Sequence, residues 1–345
     1  MLFKFNMKKN NLDKKIIKFF IIFIISAIFI ILLLNNIYVT SVLTKKTFYR
    51  KELDYYTFVN NIPDKKLNII FFGDSHPFHD INPVFFNKSY NYGSGSENYI
   101  KSYYKLRKII EKDNLSIDKI ILQLDPHTFS TYYTKDDFLF NELPLYSRFV
   151  SQKEIKEILQ KDSFVKIFIE SYLPVIGRGE EFGIFIKSPE WTNIKSGWII
   201  NNESFSEKNK SYFVDRSFNL FYKGQNMRSN ISLEYFFKMI KYAKVNNITV
   251  ILLTYPHSKE YSLMIKDKNI SLDNYYSYLF KEIEKSIGCN YYYINYYDIY
   301  FNKSEYFGDD THLNYQGATE FSQKIKEDMA NMSSFKSPCK KEFKD

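Results

Sequence analysis

The sequence is poor in cysteine, with Cys289 and Cys339 alone in 345 residues. That excludes a disulfide scaffold and any multi-cysteine zinc cluster, although the two could form one bridge. Glycine (11) and proline (9) are scarce too, which excludes a collagen-like fibre. Charge of one sign is not in large excess. The formal net charge is +9, and residues 1–18 carry +5 of it beside an apolar segment. Basicity is therefore no signal for nucleic acid, and no nucleic-acid partner is expected. Apolar residues at 45% and charged residues at 25% exclude disorder over the whole chain. The length suits one large or two modest domains with a substantial core. What is abundant is Phe (33) and Tyr (30), together with many Asn, Ile and Lys. That combination reads as coding bias toward A/T-rich codons before it reads as aromatic function.

One long hydrophobic run is present. Residues 19–34 read FFIIFIISAIFIILLL, with Ser26 as the one polar position. Extended to Val39, the run is long enough to cross a hydrocarbon core of about 30 Å as a helix. It lacks a small-x-small cleavage site and is long for a signal peptide, so an uncleaved anchor over residues 19–39 is expected. Lys4, Lys8, Lys9, Lys14, Lys15 and Lys18 precede it; Lys45, Lys46, Arg50 and Lys51 follow. That bias points to a cytoplasmic N-terminus (1–18) and an extracytoplasmic domain.

After a polar connector (40–66), short apolar runs alternate with helical patterns. Strands are expected at Leu67–Phe72, Asp118–Leu124, Ile248–Thr254 and Tyr291–Ile294. Helices are expected over 97–112, 151–172, 231–246 (entered through Ser232), 272–287 and 315–331. Gly288 is the expected stop of the fourth helix. This alternation predicts an α/β fold with a mostly parallel sheet covered on both faces, over 67–335. Residues 128–230 break the rhythm and read as an insertion above the sheet, partly helical and partly loop. A polar tail spans 336–345.

Three polar clusters fall where strands end, and in such sheets the strands' carboxyl edge gathers active groups. They are Gly73-Asp74-Ser75-His76, Asn91-Tyr92-Gly93-Ser94-Gly95 and Asp309-Asp310-Thr311-His312. A serine hydroxyl needs a base to take its proton, and histidine is the usual one. The histidine in turn needs a carboxylate to fix its tautomer. Asp309 lies three residues before His312, within reach of a local loop. Gly93 lets a backbone N–H approach closely, since it lacks a Cβ.

GDS after the first strand, a glycine loop, and D-x-x-H before the last helix together resemble the SGNH (GDSL-type) hydrolase and acyltransferase superfamily, over roughly 67–330. The resemblance implies a flavodoxin-like three-layer sandwich. It matches Ser75 to the nucleophile, Gly93 to the block-two glycine, and Asp309 with His312 to the block-five pair. One departure is plain. Block three usually ends G-x-N-D, with its Asn in the oxyanion hole, whereas this strand ends Leu124-Asp125-Pro126-His127. Gln123 and His127 are the nearest substitutes. With its anchor, the chain resembles a membrane-bound branch that includes proteins of alginate O-acetylation and teichoic-acid D-alanylation. That implies a membrane-bound O-acyltransferase as partner and a glycan or polyol as acceptor. The candidate site is thus Ser75, His312 and Asp309 for catalysis. Asp74, His76, Asn91, Gly93, Asp125 and His127 surround the oxyanion and substrate.

No cofactor is expected. His76, His79 and Asp80 could ligate a metal, but the spacing is no strong signature and a third ligand is not evident, so no metal is expected. His76 then shapes the rim, His79 is an exposed loop residue, and His257 follows a strand toward the same crevice. The aromatic insertion could stack sugars or be a packed subdomain; Trp191 and Trp198 read as loop residues. Two function classes stand: an acyl-transfer enzyme, or an esterase if water is the acceptor, and a non-catalytic accessory protein of the same fold.

Overall fold

The structure, a computed structural model, describes residues 5–41, 47–134, 153–154, 173, 175, 194–206, 208–288 and 291–331. The helix expected over 151–172, save 153–154, lies outside those residues, as do Cys289, Cys339, Trp191 and the 336–345 tail. The chain divides into two units, residues 1–49 with 143–191 and residues 50–142 with 192–345. In the first, helix α1 (Phe5–Ser41) contains the expected anchor. Its Lys14–Tyr38 stretch of 25 residues contains an 18-residue window with a mean hydropathy of 3.1. Length and composition make it able to cross a membrane.

The second unit holds a five-stranded sheet in which every neighbouring pair is parallel. Its strands are β1 (Lys66–Phe72), β2 (Ser89–Asn91), β3 (Ser116–Gln123), β6 (Thr249–Thr254) and β7 (Tyr292–Asn295). Their order is β2-β1-β3-β6-β7, the flavodoxin-like arrangement. A separate antiparallel pair joins β4 (Ile194–Lys195) to β5 (Trp198–Ile199). The strands form because β-branched and aromatic residues fill both faces. Phe71, Ile121, Ile251 and Leu253 lie in one buried cluster with Phe321 and Ile325 of helix α9 (Tyr315–Ala330). Ile70, Ile120 and Leu252, of the alternate parity, are fully buried as well. Each such side chain stabilises the fold by about 1.5–3 kcal/mol relative to exposure. Helices α4 (Tyr99–Arg107) and α6 (Asn230–Val245) pack on each other beside the sheet. Helices α7 (Lys259–Asp267) and α8 (Leu272–Ile287) precede β7, and α8 stops at Gly288 as expected.

Two local readings differ from expectation. The polar connector contains a helix, α2 (Thr47–Asn60), whose Tyr55 and Val59 are buried. Its polarity is deceptive because Lys51 and Glu52 are turned inside. Glu52 meets the Lys108 ammonium at 2.7 Å, and Tyr55 stacks on Tyr92 with centroids 4.6 Å apart. The cap of α6 is Ser229, which accepts the Ser232 N–H, so the helix begins one turn earlier than Ser232 suggests. Within the 128–230 insertion, an amphipathic helix α5 (Lys210–Phe221) reaches the site described next.

Candidate active site

Strand β1 ends at Phe72 and the chain turns sharply onto a short helix, α3 (Ser75–Asp80). Gly73 makes the turn with φ +151°, and a Cβ there would lie 2.3 Å from Gln123 Oε1. No other residue type fits that conformation and that gap. Asp74 follows and caps α3. Its N–H donates to Gln123 Oε1 at 2.8 Å, and its Oδ1 accepts the His76 N–H at 3.0 Å. Ser75 is thereby the first residue of α3, beyond the sheet's carboxyl edge.

The partner loop lies just before α9. Asp309 Oδ1 accepts the N–H groups of Thr311 (2.9 Å) and His312 (2.8 Å), which curls the loop. The curl brings Asp309 Oδ2 to 2.8 Å from His312 Nδ1. His312 Nε2 lies 2.7 Å from Ser75 Oγ. With Nδ1–H donating to the carboxylate, neutral His312 presents Nε2 as an acceptor for the serine hydroxyl. Burial works against charge on His312, but Asp309 beside it, with Asp80 and Asp74, pushes the imidazole up to about 10. Burial likewise opposes charge on Asp309, yet His312 and the loop N–H groups hold its carboxyl well below the ordinary range.

All five histidines of the chain meet here. The His76 ring centroid lies 4.9 Å from that of His127, 5.1 Å from His257 and 5.0 Å from His312. His79 lies 5.4 Å from His312. It belongs to α3 and is half-buried, where an exposed loop position was expected. Burial first, and neighbouring imidazoles second, push His257 down. Burial also pushes His76 down to about 4. Asp74 organises the cluster. Its Oδ1 accepts from His76 Nδ1 (3.0 Å), and its Oδ2 from His127 Nε2 (2.9 Å) and Tyr133 Oη (2.8 Å). Burial opposes its ionisation, but these partners hold Asp74 well below the usual carboxylate value. Asp74, His76 and His127 converge closely enough to share a metal ion. Their 2.9–3.0 Å separations are those of direct hydrogen bonds, while His76 Nε2 and His127 Nδ1 are buried without a hydrogen-bond partner.

The structure uses two expected oxyanion residues as scaffold. The Gly93 N–H donates to Asn91 Oδ1 at 3.2 Å, and a Cβ on Gly93 would lie 2.6 Å from Pro77 Cγ. Asn91 is fully buried, and its side-chain amide donates to Ile81 O at 2.9 Å and to Pro77 O, holding the far end of α3. Asp125 is buried as well, accepting from Gln123 Nε2 (2.8 Å) and the Tyr255 N–H (3.2 Å), and burial pushes it up to about 7. The geometry gives two residues roles that spacing did not suggest. Asp80 Oδ1 accepts the Leu313 N–H at 2.8 Å, and Trp198 Nε1 donates to His79 O at 2.7 Å. A cavity of about 220 Å³ opens beside Ser75, Asp309 and His312, walled by Gly95, Ser96, Tyr132, Tyr133, Asp310 and one face of α5. In sequence only the glycine loop hinted at this, since Gly95 and Ser96 continue the Gly93 cluster.

This arrangement can move a proton from a serine hydroxyl to an imidazole, as nucleophilic attack requires. No protein-family model and no curated protein matches the chain. Among solved structures, a Bacteroides fragilis protein assigned as an acylhydrolase aligns with a TM-score of 0.35 at 13% identity, covering 79% of this chain and 89% of its own. A GDSL-like lipase from Bacteroides thetaiotaomicron aligns with a TM-score of 0.38 at 12% identity, covering 82% and 97%. At such values the chemistry rests on the residues of this chain.

Proposed function

We propose that the chain is a membrane-anchored, extracytoplasmic serine acyltransferase of SGNH type, moving an O-acetyl group onto a cell-surface or exported polysaccharide. The observation that carries this reading is the Ser75 Oγ to His312 Nε2 separation of 2.7 Å, with Asp309 on the other ring nitrogen. Ser75 Oγ attacks the acyl carbonyl while His312 Nε2 takes its proton. Asp309 stabilises the imidazolium. The leaving group departs with the proton from His312, which leaves an acyl-serine. A glycan or polyol hydroxyl then gives its proton to His312 and takes the acyl group; water in its place gives an esterase. The backbone N–H groups of Ser75 and Gly95 are the proposed oxyanion donors, because both residues line the cavity. The anchor sets the domain beside a multi-spanning membrane-bound O-acyltransferase that delivers the acyl group.

The accessory-protein reading draws on one observation. The Gly93 N–H is taken by Asn91, and Asp125 stands where a block-three Asn was expected. Losing one oxyanion donor costs about 2.7–4 kcal/mol in the barrier. The test is incubation of the purified full chain with nitrophenyl acetate, followed by mass analysis. Slow turnover with an acetyl group on Ser75, both lost in Ser75→Ala, is the expected result. Polymer acylation that persists in cells carrying Ser75→Ala overturns the enzyme in favour of the accessory.

A further inference from the structure

Asp74, His76 and His127 come from three places: the turn after β1, the first turn of α3 and the turn after β3. Each is only 1% exposed. Among the described residues they are the one group of three potential metal ligands whose atoms lie within 4.8 Å of one another. The set differs from His76, His79 and Asp80, which lie together in sequence, because Asp80 is engaged by the Leu313 N–H. Two donor atoms held about 2.1 Å from one ion at right angles stand about 3 Å apart. Asp74 Oδ1 lies 3.0 Å from His76 Nδ1, and Asp74 Oδ2 lies 2.9 Å from His127 Nε2. That spacing suits a shared ion as well as a shared proton.

Charge favours the ion. Asp74 is a buried acid, and among the described residues its ion-pair partners are two imidazoles and no lysine or arginine. A buried carboxylate without a full positive charge beside it is costly, and a dication supplies that charge. The outer ring nitrogens point the same way. With protons facing Asp74, His76 Nε2 and His127 Nδ1 are bare lone pairs, and both are buried without a partner. Their surroundings are aromatic. Tyr255 and His257 neighbour the His76 ring, and Tyr133 and Phe221 neighbour that of His127. A ring face is electron-rich, so it repels a lone pair and accepts an N–H. With an ion against Asp74, the inner nitrogens are the bare ones, and each neutral imidazole carries its proton outward.

We propose that Asp74, His76 and His127 bind one divalent transition-metal ion of the zinc kind, one residue away from Ser75. Two imidazoles and a carboxylate suit such an ion, whereas calcium and magnesium take oxygen ligands. Tyr133 Oη donates to Asp74 Oδ2 at 2.8 Å, and Gln123 Oε1 accepts the Asp74 N–H at 2.8 Å, so the carboxylate is braced from outside. The ion ties the turn that carries Ser75 to the turn after β3. It is separate from Ser75, His312 and Asp309, and the proposal does not depend on the acyl-transfer reading.

The test measures metal directly. The full chain, without an affinity tag, is stripped with a chelator in detergent and titrated with zinc chloride, and separately with cobalt chloride as a coloured probe. Uptake of about one ion per chain is expected, with cobalt developing visible absorption bands. His76→Gln and His127→Gln should each weaken uptake by more than the roughly tenfold that loss of a merely supporting group costs. His312→Gln should leave uptake unchanged, which separates this site from an ion caught by the proposed catalytic pair. Zinc should also raise the melting temperature of the stripped wild-type chain and leave that of His127→Gln unmoved. A wild-type chain that takes up neither ion, uptake that survives both His76→Gln and His127→Gln, or uptake lost in His312→Gln overturns the proposal. The wild-type stoichiometry and the His312→Gln arm decide the matter even where a ligand variant fails to fold.

Discussion

Asp80 and Leu313 are 233 residues apart in sequence and joined by a 2.8 Å hydrogen bond. Asp80 ends the helix that Ser75 begins, and Leu313 follows His312. One six-residue helix therefore carries the proposed nucleophile at one end and grips the backbone of its proposed base at the other. Burial raises the Asp80 carboxyl well above its ordinary value.

This gives a sharp contrast between two substitutions. Asp80→Asn keeps a carbonyl oxygen for the Leu313 N–H and should stay within about 1 kcal/mol of the parent. Asp80→Ala leaves that N–H unpaired in the core and should cost about 1–3 kcal/mol. Urea unfolding of both variants measures the difference. Equal losses would mean that the contact does not hold the loop.

The pH dependence of Ser75 reactivity should rise on the alkaline side of neutrality. Only neutral His312 can take the serine proton, and its environment pushes it up to about 10. Below that value the neutral fraction grows about tenfold per pH unit. Labelling of Ser75 by a fluorophosphonate between pH 6 and 10 should follow that rise; a plateau already at pH 7 counts against it. In Asp309→Asn the charge holding the proton is gone, so the rise should move to lower pH. The maximal rate should also fall, by about ten-thousandfold.

The same shift acts on stability. His312 is raised above its unfolded value of about 6.5, so protonation favours the folded state. That contribution is fully present below pH 6.5 and is lost as pH rises through about 10. In His312→Gln the fall in melting temperature over this alkaline window should be shallower than in the parent. An unchanged slope would show that His312 is not the group responsible.

Gly73→Ala should damage both fold and site. The new Cβ would meet Gln123 Oε1 at 2.3 Å in a backbone conformation of φ +151°. Strain and overpacking together should cost about 2–5 kcal/mol. Pairing it with Gln123→Ala, which removes the obstructing amide, should recover part of the packing loss and none of the backbone strain. Full recovery in the double variant would exclude the conformational term.

The placement of the domain is open to a direct check. The lysine bias before the anchor predicts that a reporter fused after Asp345 is active only if it requires an extracytoplasmic location. Activity of a reporter confined to the cytoplasm would reverse the orientation.

What could be read in the sequence was local. LNIIFF followed by Gly-Asp-Ser announces a buried strand and its turn within nine residues, and Asp309 needs only its own loop to reach His312. What could not be read depends on distant partners. Strand β2 has three residues, too few for any periodicity. Helix α2 looked like a connector because Lys51 and Glu52 read as surface until Lys108 and Tyr92 come to meet Glu52. Asn91 and Gly93 sit in the expected cluster, but the nearness of Pro77 and Ile81 turns them inward to brace α3. Asp80 was legible as an acid near Ser75; its hold on Leu313 crosses most of the chain.

The convergence of His76, His79, His127, His257 and His312 has a practical side. No imidazole lies anywhere else in this protein. In a spectrum recorded on histidine labelled with nitrogen-15, every resonance comes from the crevice around Ser75, with no background from the surface or from the anchor. Tautomer, protonation and ligand arrival at the site can thus be followed in the intact chain, in detergent or in a bilayer, without introducing a single probe.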